Sequence, residues 1–345
     1  MPAVVTPPRR RAAGLAFLAA LLLIAVAAGI AIGARSLSPS TVLHALNCPD
    51  GWPLRCPAAT PADQIVRELR LPRTALAVLA GLALGLSGAL MQGYTRNRLA
   101  DSGLLGLNAG AAFLAALGIH LFGLSHPQQY IWLAFAGAAI AGVVVFAASS
   151  AGGGKASPLS LVLAGAAVTA LLQALTNAVV LLDPTATETY RYWVIGSVAG
   201  HDMSTLRQVL PFIAAGVVLA LAAAPGLNAL GLGEDMARAL GVNIARNRAL
   251  GLAAVVLLAG AATAAVGPIA FLGLIAPHLA RFVTGPDHRW LLPYSALLGA
   301  LLLLVADIVG RVIALPGELQ AGIVLSVLGA PYFVLLVRRR KAVAL

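Results

Sequence analysis

The chain has 345 residues, 60% of them hydrophobic and only 10% charged, with a formal net charge of +11 at pH 7. A soluble domain carries about 25% charged residues, so too few polar side chains are present to coat a water-soluble fold, and lipid must be the solvent for most of the surface. A membrane barrel would read as short alternating segments. The apolar runs here are continuous, which predicts an all-α integral membrane protein of about ten transmembrane helices in a single domain, 1–345. The 36 glycines suit this, because helices in lipid associate through close approach of small residues.

In chain order, a basic tail, 1–13, precedes the first apolar run, Gly14 to Gly33. A signal peptide has the same basic start, but about 20 apolar residues suffice to span the bilayer, so an uncleaved first helix is expected. A loop at 34–70 follows, with Cys48 and Cys56 in a Pro-rich stretch; a disulfide and two free thiols are equally open there. Further runs are Arg73–Gln92, Gly103–Leu121, Tyr130–Ala148, Leu159–Leu182, Leu206–Ala224, Leu250–Val266, Ile269–Val283, Leu291–Val309 and Leu319–Val337. A re-entrant helix is a candidate beside Gly267-Pro268. The stretch 225–248 is the longest connection on its side.

Lys and Arg set the orientation. The clusters Arg9–Arg11, Arg96 with Arg98, Arg238 with Arg246 and Arg248, and Arg338–Lys341 all fall on the side carrying both termini. That side is predicted to be cytoplasmic, with 34–70 periplasmic. The positive charge is then a topology signal and not a nucleic-acid footprint. The arginines of 34–73, among them Arg67, Arg70 and Arg73, break the rule. They read either as headgroup snorkelling or as a docking site for an acidic partner.

Chemistry-bearing motifs are few. Gly152-Gly153-Gly154-Lys155-Ala156 lacks the spacing and the Ser/Thr of a phosphate loop, so no nucleotide site is expected. No His pair has metal-ligand spacing, and no catalytic set or cofactor site is predicted. Asp307, the carboxylate inside a span, is a candidate proton relay, but Arg311 at i+4 favours structural pairing. His278 reads as a packed histidine and not as a haem ligand.

Five segments in order resemble the permease subunits of the iron-siderophore, haem and cobalamin ABC importers (the FecCD type). They are Arg70-Leu-Pro-Arg73 with Gly81, Gly85, Ser87-Gly88 and Gln92; Arg96-Asn97-Arg98-Leu99-Ala100 continuing to Leu104-Leu105-Gly106-Leu107-Asn108-Ala109-Gly110-Ala111; Gly233-Glu234-Asp235-Met236-Ala237-Arg238-Ala239-Leu240-Gly241-Val242; Gly267-Pro268-Ile269-Ala270-Phe271-Leu272-Gly273-Leu274-Ile275-Ala276-Pro277-His278; and Ala306-Asp307-Ile308-Val309-Gly310-Arg311 to Glu318-Leu319 and Gly329-Ala330-Pro331. Arg98 stands where the family usually has proline.

The resemblance implies a type II importer transmembrane domain moving an iron chelate, with ferric siderophore ahead of haem or cobalamin. Glu234, Asp235, Met236, Ala237, Arg238, Leu240 and Gly241 would form a coupling helix seated in a separate ATPase. The alternative is an amphipathic helix resting on membrane lipid. Arg70, Arg73 and Arg311 would receive carboxylates of a periplasmic binding protein. Asn97 and Leu99 would narrow the pore at its cytoplasmic end, or pack as an ordinary loop. Ser160, Thr169, Gln173, Thr176 and Asn177 would line the pathway. ATP would act on the partner ATPase, and a second permease copy or paralogue would complete the pore. An ion-coupled secondary transporter is the competing class, and it needs charged ion sites near the midplane. An intramembrane enzyme would need a catalytic cluster.

Overall fold

The computed structural model describes residues 8–33, 35, 37–47, 60–124, 126–150, 158–182 and 184–341. Cys48, Cys56 and the Gly-rich stretch 152–156 lie outside them. The described residues are all-helical. Seven helices are long and apolar enough to cross a membrane: α1 (Pro8–Ala31), the continuous helix Pro61–Tyr94, α6 (Pro127–Ser150), α7 (Pro158–Leu182), α9 (Met203–Gly231), α11 (Ile244–Val266) and α13 (His288–Ile313). Three shorter apolar helices are α5 (Leu107–Phe122), α12 (Leu272–Thr284) and α14 (Ala321–Lys341). These ten match the ten apolar runs. Short helices α2 (Pro39–Leu46), α8 (Pro184–Val194) and α10 (Glu234–Ala239) decorate the ends.

Two boundaries differ from the sequence reading. The span expected from Arg73 starts at Pro61: α3 (Pro61–Gln64) passes through a π-helical turn, Ile65–Arg70, into α4 (Leu71–Tyr94). Thr60 and Asp63 form a reciprocal capping box and Pro61 occupies the first turn, a strong start signal. Pro72 lacks an N–H, and the widened turn just before it absorbs the missing bond. The 34–70 loop is therefore partly helical. At the other boundary, Pro225 does not end α9, which continues to Gly231; the connection expected over 225–248 shrinks to the residues around α10.

Helix α12 has 13 residues and rises about 20 Å, short of the ~30 Å hydrocarbon layer. The stretch 267–271 ahead of it is non-helical, with Phe271 at φ +65°. Such backbone is tolerated at membrane depth where protein buries it, and here Phe271 packs on Gly329 and near Phe333.

The central α4 packs most extensively on α13. A Cβ at Gly81 would stand 2.5 Å from the Gly299 carbonyl oxygen, and Gly85 lies directly against the Ser295 carbonyl. Only glycine lets these backbones approach so closely. Gly85→Val should destabilise the protein by about 2–4 kcal/mol, read as a lowered melting temperature in detergent. Gly231→Ala, where a Cβ meets open space, should leave it unchanged.

Candidate functional site

The two ends of α4 define two working surfaces about 36 Å apart, the rise of its 24 residues. At the Tyr94 end sits α10. Gly233 at φ +112° and Gly241 at φ +79° bracket it, positions where a side chain would be strained. Glu234 and Asp235 occupy its first turn and Arg238 its last, favourable for the helix dipole. Arg238 reaches back to Asp235 at 2.8 Å and Glu234 at 3.1 Å. Arg248, on α11, grips Glu234 at 2.6 Å. Partial burial pushes the Glu234 carboxyl up, but the hydrogen bond from Arg248 and the charges of Arg248, Arg238 and Arg96 outweigh it, and its pKa lies below the ordinary value.

Met236, Ala237 and Leu240, the apolar members of this segment, separate in the structure. Ala237 is fully buried against Leu230 and Ile244 and anchors the helix. Met236 and Leu240, one turn apart, are 54% and 60% exposed. Two apolar side chains thus stand outward from a short helix that ion pairs hold to the bundle.

The loop after α4 is closed by its own bonds. Asn97 Oδ1 accepts the Leu99 N–H at 2.9 Å, and the Asn97 carbonyl accepts the Ala100 N–H at 3.1 Å. Arg96, at φ +50°, donates to the Leu230 carbonyl at 3.0 Å. Asn97 is exposed and Leu99 half-buried. Along α7, Gln173 and Asn177 are exposed one turn apart, while Ser160 and Thr169 are half-buried. Thr176, by contrast, is 1% exposed and donates to the Leu172 carbonyl at 2.7 Å. The His278 ring packs edge-on to Phe282 and Tyr332.

At the Arg73 end, three helices and a loop meet in an ion-pair cluster. Arg73 donates from Nε to both Asp307 oxygens at 3.0 and 3.2 Å and from Nη2 to Oδ1 at 2.7 Å. Its Nη1 reaches Glu318 at 2.6 Å. Arg311 pairs with Asp307 and donates to the carbonyls of Gly29 at 2.7 Å and Ile32 at 3.1 Å. Arg70 donates to Ile30 at 3.0 Å, to Ala31 at 2.6 Å and to the Arg35 carbonyl. These two arginines satisfy carbonyls that the end of α1 leaves without partners. Arg70 and Arg311 are 5% and 2% exposed, so both guanidinium groups are largely covered by the bundle. Arg73 alone of the three keeps a face on a cavity of about 510 Å³, lined also by Tyr130, Trp193, His201, Glu318 and Gln320.

Sequence reasoning paired Asp307 with Arg311 and missed Arg73 and Glu318, which are distant in sequence. The signal was available: charges in so apolar a chain need partners, and Glu318 stood in a quoted motif without a role. The Arg248–Glu234 pair was missed in the same way.

A bundle of apolar helices, with an anchored helix projecting at one end and a neutralised charge cluster at the other, defines the membrane-embedded subunit of a transporter. The chain belongs to the FecCD transport family, whose model matches residues 21–339, and it is a multi-pass inner-membrane protein. It is 49% identical over 321 residues, 93% of each chain, to the ferric enterobactin transport system permease protein FepD of Escherichia coli (strain K12). It is 38% identical over 335 residues, 95% of this chain and 96% of the relative, to the hemin transport system permease protein HmuU of Yersinia pestis. A solved metal-chelate type ABC transporter in an inward-facing conformation superposes with a TM-score of 0.81 at 30% identity, covering 94% of this chain and 98% of that one.

Arg311→Met removes one of the two arginines on Asp307 and leaves the Gly29 and Ile32 carbonyls without their donor, so it should cost about 2–4 kcal/mol, seen as a lowered melting temperature of the purified protein. Glu234 behaves oppositely to a raised group: its lowered pKa contributes stability in full at neutral pH and loses it as pH falls through that value, below the ordinary 4.5. Protection of the Leu240 and Gly241 amides from hydrogen exchange, taken relative to the intrinsic rate at each pH, should fall only in that acid range.

Proposed function

We propose that the chain is the permease subunit of an ATP-driven importer carrying an iron chelate, most simply a ferric siderophore, from periplasm to cytoplasm. Exposure of Met236 and Leu240 on a rigidly held α10 carries this reading. An isolated helix of six residues is too short to be stable, and this one is fixed by Arg248, Arg238 and the Ala237 anchor. A projecting apolar pair on such a stub suits insertion into the groove of a separate ATPase, which would move the bundle as a rigid body. The concentration of Arg and Lys at this end supports a cytoplasmic orientation for it. ATP hydrolysis belongs to that partner, and iron is cargo.

The opposite end then faces the periplasm and the chelate-binding protein. The exposed face of α7, with Gln173 and Asn177, would line a pathway completed by a second permease copy or paralogue, with Asn97 and Leu99 at its cytoplasmic exit. Ferric enterobactin and hemin, named for two relatives, support an iron chelate as the substrate class. An ion-coupled transporter finds less support, because Asp307 is already neutralised by two arginines.

Met236→Asp with Leu240→Asp should abolish chelate-stimulated ATP hydrolysis in the reconstituted importer and lower uptake about tenfold or more, the scale of losing interface anchors, with membrane insertion intact. Unchanged uptake, or a tag at Met236 accessible only from the periplasm, would refute the coupling role.

A further inference from the structure

The Arg73 cluster is asymmetric. Asp307, which takes the Nε and Nη2 edge of Arg73, is 1% exposed, whereas the Glu318 side chain on Nη1 is 34% exposed. A buried ion pair cannot lose one partner without stranding a charge. A pair open to water exchanges at little cost. The Asp307 edge of the guanidinium is therefore permanent and the Glu318 edge exchangeable.

The surroundings give the exchange both room and consequence. Arg73 and Glu318 line the same cavity of about 510 Å³, wide enough for an acidic side chain to enter beside them. Glu318 lies on the non-helical segment 314–320 between α13 and α14. Within the segment, Leu319 N–H donates to the Gly310 carbonyl at 2.9 Å; just beyond it, in α14, Gly322 N–H donates to the Gly196 carbonyl at 3.0 Å. The Arg73–Glu318 pair ties this segment to α4 by side chains.

We propose that Glu318 is a resident carboxylate that occupies Arg73 and ties the 314–320 segment to α4, and that a carboxylate side chain of the docking chelate-binding protein displaces it. The inference rests on the reading that such a protein docks at this end. One carboxylate replaces another, so the guanidinium stays paired throughout. The displaced Glu318 turns to solvent, and the 314–320 segment loses its side-chain tie to α4, while α13 stays packed on α4 and paired through Asp307. Docking affinity and release of that segment are then set by the same competition.

The test uses the complete importer in lipid nanodiscs and its own purified chelate-binding protein, with Kd read by surface plasmon resonance. Glu318→Gln removes the competitor and should tighten docking about fivefold, the scale of a partly exposed ion pair. Glu318→Asp, charged but shorter, should tighten it less. In an Arg73→Gln background the Glu318→Gln effect should vanish. If Arg73→Gln weakens docking while Glu318→Gln leaves it unchanged or weaker, displacement is overturned and docking stands. If Arg73→Gln has no effect on Kd, the docking reading itself falls. A purely structural Glu318 would lower the melting temperature in Glu318→Gln without tightening Kd; should that variant fail to fold, Glu318→Asp decides the same question.

Discussion

In hydrocarbon no water is available to satisfy a charge or a helix end, so each must find a protein partner. The Arg311–Asp307–Arg73 group meets this demand for several elements at once. Arg311 spends part of its fork on Asp307 and part on the carbonyls of Gly29 and Ile32. Arg70 performs the same service for Ile30 and Ala31. The end of α1, which has little buried surface along its own length, is thus fastened to α4 and α13 by guanidinium groups. Asp307 and Glu318 offset the charges of Arg73 and Arg311, while Arg70 beside them is held by carbonyl oxygens, and such pairing is the condition under which charges tolerate a low dielectric.

That fastening matters because α4 connects the two ends. At its far end the Tyr94 hydroxyl donates at 2.9 Å to the Asn247 carbonyl, and lies 2.9 Å from Asn247 Oδ1. Asn247 Nδ2 in turn donates to the Ala223 carbonyl of α9 at 3.2 Å. Between these anchorages the glycine contacts with α13 leave little room for independent sliding. A displacement imposed near α10 would therefore move α4, α9 and α11 together, as a close-packed interior responds. The rigidity is reciprocal: a change at the Arg73 end bears on the same helix.

How much of this was legible in the sequence follows from what each signal encodes. Long apolar runs gave the helices, because hydrocarbon thickness fixes their length. Both revised boundaries fall next to a proline: the runs began at Arg73 and ended at Ala224, yet Pro72 and Pro225 each lie within a continuous helix, because the local ladder can lose one bond when packing is strong. The i+4 pair Asp307–Arg311 was visible because helical spacing alone creates it. Arg73 with Glu318, and Arg248 with Glu234, required the tertiary fold. The direction a side chain faces was also hidden. Thr176 and Asn177 are neighbours in sequence and polar alike, but only Asn177 is open. Ala237 sat beside Met236 in a motif, and burial alone separates anchor from contact.

The open face of α7 bears on how selectivity is divided. Its exposed polar groups are the uncharged Gln173 and Asn177, set among Leu and Ala side chains. A wall that held a chelate tightly would have to pay that affinity back at release, whereas transport needs binding weak enough to leave. On the proposed reading, recognition is consequently exercised before entry, by the protein that docks at the Arg73 end. The permease contributes a passage whose access is set by charge pairing, and its own chemistry need only avoid trapping the cargo.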